Sequence, residues 1–207
     1  MKNAKTKYLL LVASVLHLSL TAQPVRPSRL TYSARLTFQA YGLPFQNLRE
    51  GFRNVGGSVG VDYAYNAART LHQTVALGYQ GHTEHEQGFY LHTQLAYRPL
   101  LLHRIEPGIA IGVGRLLSVA NPKNPYYQVG DGGWQRSGKQ TQGHWLVPLT
   151  ASLGYRVQAA GGTVLTPFVA YEVSPVIGYN SAFPVLPYSL VTFGTRIQVH
   201  PANHSQN

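Results

Sequence analysis

The residues between Arg29 and Tyr41 alternate between polar and apolar side chains almost without exception. The polar positions are Arg29, Thr31, Ser33, Arg35, Thr37 and Gln39. The apolar positions between them are Leu30, Tyr32, Ala34, Leu36, Phe38 and Ala40. A period of two residues is typical of a β-strand with one polar and one apolar face. The same period returns repeatedly until His200, which indicates a single sheet that closes on itself.

Eight strand-like stretches with this period can be placed along the chain. They cover residues 29–42, 54–66, 70–81, 88–98, 107–119, 144–158, 163–179 and 187–200. An even number brings both chain ends to the same side of a closed barrel. Short turns then alternate with longer loops, and the longest loop covers residues 120–143. Pro148, Pro167 and Pro175 fall inside predicted strands, where a missing N–H indicates a bulge or a strand end.

Aromatic residues on the apolar face form two groups, one near each end of the predicted strands. The group at the end where residue 30 lies is Tyr32, Tyr63, Tyr65, Tyr97 and Tyr155. The group at the opposite end is Phe38, Tyr79, Phe89, Trp145 and Tyr179. Mostly aliphatic residues lie between them. Two aromatic belts around an aliphatic band are typical of a transmembrane β-barrel, so these ten side chains are predicted to lie at the membrane interfaces. A soluble barrel with aromatic residues in its core is the alternative.

The first 22 residues have the features of a secretory signal peptide. Lys2, Lys5 and Lys7 precede an apolar run that covers residues 8–20 and leads to Ala22. This run is shorter than the roughly 20 apolar residues that a membrane-spanning helix needs. We therefore expect Sec-type export and cleavage near Ala22, with an uncleaved anchor as the alternative. The remaining chain is then a barrel domain over residues 23–200 and a polar tail over residues 201–207.

The charge and the cysteine content exclude several classes of function. The formal net charge is +10, and it falls by three when the lysines of the signal peptide are removed. The remaining positive charges do not form a run, and several arginines fall on strand faces, so no nucleic-acid partner is predicted. The chain contains no cysteine, which excludes disulfides, thiolate metal sites and cysteine nucleophiles.

Charged residues on the polar face of the strands are predicted to face the lumen of the barrel. They are Arg35, Asp62, Arg98, Arg156, Glu172 and Arg196. Small residues between them fit the narrow interior of an eight-stranded barrel. Because buried ions must be paired, we predict that these arginines and carboxylates plug the lumen; a path for small anions or a proton-linked gate is the alternative. Arg115 falls on the apolar face, which predicts a bulge or a side chain extending to the membrane interface.

The last predicted strand contains the segment Thr192-Phe193-Gly194-Thr195-Arg196-Ile197-Gln198-Val199. With the signal peptide, the eight amphipathic stretches and the aromatic belts, this segment resembles the small outer membrane β-barrel proteins of diderm bacteria, over essentially the whole mature chain. The resemblance implies an all-β fold, an eight-stranded antiparallel up-and-down transmembrane β-barrel with short periplasmic turns and longer external loops. It also implies a place in the bacterial outer membrane, contact with its lipid and lipopolysaccharide, and recognition by the barrel assembly machinery. The chain departs from the family's C-terminal assembly signal because it has no terminal aromatic residue.

The longest predicted loop combines aromatic and cationic residues. They are Tyr126, Tyr127, Trp134, Arg136 and Lys139. Exposed aromatic rings beside cations suit contact with a surface polysaccharide, lipopolysaccharide or a partner protein. We therefore predict a structural, adhesion-like or surface-binding role that is exerted through the external loops. A flexible loop without a partner, rich in glycine, is the alternative for this segment.

Metal, cofactor and catalytic sites are not predicted. The segment His82-Thr83-Glu84-His85-Glu86 offers imidazoles and carboxylates, but it has neither helical spacing nor a third distant ligand. Some small outer membrane barrels modify lipid A, which requires a nucleophilic serine near a histidine and a carboxylate. Asp131, His144 and Ser181 are the only external grouping of this kind. A lipid A-modifying enzyme and a soluble, lipocalin-like secreted carrier remain the alternatives.

Overall fold

The structure is a computed structural model that describes most of the predicted barrel. It describes residues 29–40, 52, 54–81, 86–120, 127–130, 133–136, 141–159, 163–178 and 185–199. The predicted signal peptide, the C-terminal tail and several loop segments lie outside these residues. Within the described ranges, no helix has the length and hydropathy needed to cross a membrane.

The described residues form fourteen β-strands. They are β1 (Leu30–Ala40), β2 (Val55–Ala64), β3 (Leu71–Gly81), β4 (Glu86–Tyr97), β5 (Ile105–Ala120), β6 (Tyr127–Gly130), β7 (Gly133–Arg136), β8 (Thr141–Leu146), β9 (Leu149–Tyr155), β10 (Val157–Gln158), β11 (Val164–Val173), β12 (Val176–Ile177), β13 (Val185–Leu186) and β14 (Ser189–Gln198). The strands β6 and β7 pair only with each other, as a separate hairpin. The other twelve strands form one antiparallel sheet.

This sheet closes into a barrel with eight strands in its wall. The first five wall strands are β1 to β5, and each pairs with the next. The sixth consists of β8, β9 and β10, the seventh of β11 and β12, and the eighth of β13 and β14. The barrel is closed by the pairing of β14 with β1, in which Ala34 lies opposite Thr195. The predicted eight-stranded up-and-down topology is therefore confirmed.

Three of the wall strands are interrupted near a proline. The sixth strand breaks at Val147 and Pro148, the seventh at Ser174 and Pro175, and the eighth at Pro187 and Tyr188. Backbone hydrogen bonds bridge these breaks, for example from the Ser174 N–H to the Tyr188 carbonyl oxygen at 2.7 Å. Proline cannot donate to the ladder, which explains why the pairing stops there. A bulge or strand end was predicted at Pro148 and Pro175, whereas the break at Pro187 was not predicted.

Pro167 behaves differently from Pro148 and Pro175. It lies inside β11, where it pairs with Thr195 of β14 without an interruption. The expectation of a bulge or strand end at Pro167 is therefore wrong, while the strands do end at Pro148 and Pro175. A proline is compatible with a ladder position whose N–H is not needed for pairing.

The two faces of the wall have opposite polarity. On the outer face, aliphatic side chains are strongly exposed, with Ile109 at 65% and Val59 at 62% of full exposure. On the inner face, polar side chains such as Asp62 and Thr74 have no exposed surface. A soluble protein buries its apolar side chains and exposes its charges, so this barrel has the inverse arrangement.

The predicted interface aromatics lie on the outer face wherever the structure describes them. Tyr32, Tyr63, Tyr65, Tyr97 and Tyr155 are exposed near the end of the barrel that carries the short turns, which we call the short-turn end. Tyr79, Phe89 and Trp145 are exposed near the other end, the long-loop end, and Phe38 is half-buried there. Neighbouring rings touch, with the Tyr79 and Phe89 centroids 5.1 Å apart. Tyr179 lies outside the described residues.

Arg115 is exposed on the outer face, and no bulge turns it inward. The register is regular around it, because Arg115 lies opposite Leu91 on one side and Trp145 on the other. Its guanidinium carbon lies 4.6 Å from the centre of the Trp145 ring, a distance typical of a cation–π contact. The alternative of a bulge is therefore wrong, and Arg115 belongs to the aromatic belt at the long-loop end.

The lumen is filled by two different layers. Toward the long-loop end, a buried apolar cluster closes the interior; it consists of Tyr90, Leu116, Leu146, Val176, Tyr188 and Leu190. The Tyr90 ring packs directly against Gly78, where a Cβ atom would overlap the ring. Toward the short-turn end, the interior is lined by charged side chains. The apolar cluster at the long-loop end was not predicted from the sequence.

Candidate functional site

The most deeply buried ion pair in the lumen joins Asp62 of β2 to Arg98, the residue after β4. Arg98 donates from Nη1 to Asp62 Oδ2 at 2.9 Å and from Nη2 to Asp62 Oδ1 at 3.2 Å. Arg98 Nη2 also donates to the Thr74 hydroxyl at 2.9 Å, and that hydroxyl donates to Asp62 Oδ1. This geometry is the two-point match of a guanidinium to a carboxylate. The contact links three strands of the wall around one buried charge pair.

A second cluster is centred on Glu106, a residue that the sequence analysis did not place in the lumen. Arg196 of β14 donates to its Oε1 at 2.8 Å, and Arg156 donates to its Oε2 at 3.2 Å. The Arg196 guanidinium also lies over the Phe168 ring, 4.0 Å from its centre. One buried carboxylate thus compensates two arginines from opposite parts of the wall.

Glu172 has a different environment from the other two lumen carboxylates. Ser174 donates to its Oε1 at 2.7 Å, Thr150 donates to its Oε2 at 3.0 Å, and Gln94 donates to the same oxygen at 3.4 Å. In the described part of the chain it forms no ion pair. The prediction that Glu172 pairs with a lumen arginine is therefore wrong; hydroxyl and amide groups hold it instead.

Arg35 also lacks the carboxylate partner that was predicted for it. Its Nε donates to the Ser33 hydroxyl at 3.3 Å, and no ion pair of Arg35 occurs among the described residues. Arg35 and Glu172 line the same small cavity from different strands of the wall. The charge network predicted as one set therefore consists of two ion-paired clusters and two separate charged side chains.

Two small cavities lie in the charged half of the lumen. The deeper one has a volume of about 30 Å³ and is lined by Arg35 and Glu172 together with Arg98 and Arg196. The other, near the short turns, has a volume of about 20 Å³ and is also lined by Arg98 and Arg196. Because these two arginines border both cavities, they separate one from the other. Pockets for organic ligands usually measure some 300 Å³ or more, so neither cavity suits the cargo of a lipocalin-like carrier.

The cavity near the short turns is rich in arginine. Arg29 and Arg69 lie at its surface, while Arg98 and Arg196 lie at its base. Partial burial and the nearby Arg156 cation together lower the pKa of Arg69 from its usual value. Like charges are therefore close together at this end of the lumen.

The long loop contains the separate hairpin β6–β7. Its backbone register places Tyr127 opposite Arg136 and Val129 opposite Trp134. This pairing within the loop was not predicted from the sequence. Tyr126 and Lys139 lie outside the described residues, as do His82, His85 and Asp131.

The residues proposed for an enzyme are not brought together in the described part of the chain. His144 is buried in β8, and its Nδ1 lies 3.1 Å from the Gly178 carbonyl oxygen. Ser181, the candidate nucleophile, lies outside the described residues. Within the described ranges, no group of three metal-ligating side chains lies close enough together to hold one ion.

Comparisons with known proteins find similarity in fold. No protein-family model matches the sequence, and no curated protein is similar to it. The crystal structure of Neisserial surface protein A superposes with a TM-score of 0.54 at 9% identity, over 83% of this chain and 97% of that one.

Two further solved structures align over similar lengths with lower scores. A de novo designed transmembrane β-barrel has a TM-score of 0.43 at 13% identity, over 84% of this chain and 98% of that one. The N-terminal β-barrel domain of Pseudomonas aeruginosa OprF has a TM-score of 0.45 at 8% identity, over 81% and 96%. Together with the closed wall of eight antiparallel strands, the similarity to Neisserial surface protein A shows that this chain has the fold of a small outer membrane β-barrel.

Proposed function

We propose that this chain is an outer membrane protein that acts through its long loops at the cell surface, in a structural, adhesion-like or surface-binding role. The observation that carries the proposal is the inverted polarity of the barrel. Aliphatic side chains cover the outside between two aromatic belts, and the charged side chains lie inside, several of them in ion pairs. Lipid is the environment in which such an outer face is stable, since it offers no hydrogen-bond partners and needs none.

The topology supports a particular orientation in the membrane. Both described chain ends, at residues 29 and 199, lie at the short-turn end of the barrel. Outer membrane barrels have their short turns in the periplasm and their longer loops outside. We therefore assign the short-turn end to the periplasm and the hairpin β6–β7 to the cell surface. Export through the Sec pathway and insertion by the barrel assembly machinery belong to this proposal.

The barrel is expected to carry no steady ion current. Its lumen contains an apolar layer around Tyr90 and Leu116, and below it the charged layer that Arg98 and Arg196 divide. An eight-stranded barrel has just enough interior space for side chains, so no continuous water path is left. Planar bilayer recordings of the refolded protein should show a baseline without defined conductance steps. Large, steady single-channel currents would contradict a plugged lumen.

The surface contact is proposed to lie on the long loop. Deletion of residues 124–140 should leave a barrel that still migrates faster on a gel when unheated, because the hairpin β6–β7 shares no ladder with the wall. The same deletion should abolish binding to vesicles that contain lipopolysaccharide or to the matching surface polysaccharide. A glycine–serine segment of equal length is the control for loop length. If the deletion variant and the glycine–serine variant both bind as the wild type does, the long loop is not the contact site.

Mass spectrometry of lipid A distinguishes this role from the enzymatic alternative. Cells with and without the protein should contain lipid A with the same acyl chains. A change in acylation would reject the binding role, and His144 and Ser181 would then be the first positions to replace. A protein that stays monomeric and soluble without detergent would instead favour the secreted carrier.

A further inference from the structure

The cavity at the short-turn end contains more positive than negative charge. Five arginines line it: Arg29, Arg69, Arg98, Arg156 and Arg196. Glu106 is the one carboxylate in its lining, and Asp62 adds a second through its pair with Arg98. Arg98, Arg156 and Arg196, the three arginines that form the ion pairs, outnumber these two carboxylates by one. An uncompensated charge in a low-dielectric interior is costly. The excess calls for a counterion.

Two arginines in this cavity also have unused hydrogen-bond donors. The Nε atoms of Arg156 and Arg196 are buried and have no partner among the described residues. Arg196 as a whole is only 6% exposed, so an acceptor for its Nε atom has to be a species bound inside the lumen. Leaving a buried donor of a charged group unsatisfied is unfavourable. Both donors belong to the side chains that Glu106 already holds through their terminal nitrogens.

The size and the access of the cavity restrict what can bind there. Its volume of about 20 Å³ holds one small species, since a single water needs about 10–15 Å³ of comparable space. Arg29 is exposed and Arg69 is half-buried, so the cavity reaches the surface at the short turns. Both side chains are positive, which raises the local concentration of anions at the opening.

We propose that the short-turn end of the lumen is a binding site for one small inorganic anion of about the size of chloride. Arg156 and Arg196 bind the ion, and Arg69 lies at the opening. The anion completes the compensation of the charged layer and thereby stabilises the plug. The inference does not depend on what the external loops contact.

The probe is chloride itself, with the full mature barrel refolded in zwitterionic detergent. Chloride-35 NMR should show saturable line broadening, and the protein should unfold at a higher temperature in sodium chloride than in sodium gluconate of equal ionic strength. Gluconate is too large for the cavity, so it serves as the control anion. An Arg156→Gln variant should weaken chloride binding by about tenfold, since it removes a charge-assisted contact.

An Arg104→Gln variant is the matched control for charge. Arg104 is exposed, does not line the cavity, and donates to the Tyr155 hydroxyl at 3.1 Å on the outside of the barrel. Its chloride affinity should equal that of the wild type. If Arg156→Gln does not fold, the Arg69→Gln variant tests the site instead, and its chloride affinity should be several-fold lower than that of the wild type. Equal behaviour in chloride and gluconate, equal losses in Arg104→Gln and Arg156→Gln, or unchanged binding by Arg69→Gln would each overturn the site.

Discussion

Replacing Asp62 by asparagine is expected to lower the free energy of unfolding by about 3–5 kcal/mol. Asp62 has no exposed surface, and both of its oxygens accept from Arg98. The asparagine keeps the size of the side chain but leaves the Arg98 cation buried without its counter-charge. Reversible urea unfolding in lipid vesicles, followed by tryptophan fluorescence, measures the difference.

A second substitution tests whether the unpaired cation causes this loss. Adding Arg98→Met to Asp62→Asn removes the uncompensated charge and should restore part of the lost stability, because an apolar side chain of similar length carries no desolvation penalty. A double-mutant cycle of the two positions gives the interaction free energy. Additive losses would show that Asp62 and Arg98 do not stabilise the barrel through each other.

Replacing Glu106 by glutamine is expected to cost a comparable amount, again about 3–5 kcal/mol. The change leaves Arg196, which is 6% exposed, without its carboxylate, and it removes the partner of Arg156. Most of the loss should come from Arg196, since the Arg156 side chain is partly exposed and water screens it. The measurement is again the free energy of unfolding in vesicles.

Glu172→Gln is the matched control for Glu106→Gln. It makes the same chemical change at a buried carboxylate that hydroxyl and amide groups hold rather than arginines. We expect a smaller loss, about 1–2 kcal/mol, because the groups that donate to Glu172 are neutral and no buried cation loses its counter-charge. Equal losses for the two variants would mean that ion pairing at Glu106 adds nothing to the stability of the charged layer.

The fold was predictable from the sequence because a barrel wall has a strict period. Each residue in the alternation faces either lipid or lumen, so the sequence alone separates Leu36 and Val59 from Asp62. The number of strands follows from counting such stretches, and their antiparallel order follows from the short turns. The exact bounds were harder, since β5 begins at Ile105, two residues before the predicted stretch 107–119.

The ion pairs were not predictable in the same way. Arg196 and Glu106 are 90 residues apart and meet across the lumen, which depends on how the barrel closes and on where each long side chain reaches. Glu106 did carry a signal, because it is in phase with Gly108 and Ala110 on the inner face of β5. Extending that strand by one residue pair would have placed it in the lumen.

The apolar layer inside the lumen was missed for a related reason. Leu116 is in phase with the inward-facing Gly114, and Leu146 is in phase with the buried His144. A rule that puts only polar residues inside ignores both leucines. In the structure they pack against Tyr90 and Val176 near the long-loop end. The period of two residues assigns each side chain to the outer or the inner face. Whether a layer of the lumen is apolar or polar depends on which inner side chains from different strands lie at the same level along the barrel axis.

Fluorescence quenching of Trp145 by brominated phospholipids tests the central claim most directly. Trp145 is 52% exposed on the outer face of β8, where the Arg115 guanidinium lies over its ring. A Trp134→Phe variant leaves it as the single tryptophan, since the chain has two. In vesicles, bromines near the headgroups should quench Trp145 strongly and aqueous iodide weakly. Efficient quenching by iodide with none by brominated lipid would contradict a lipid-facing barrel.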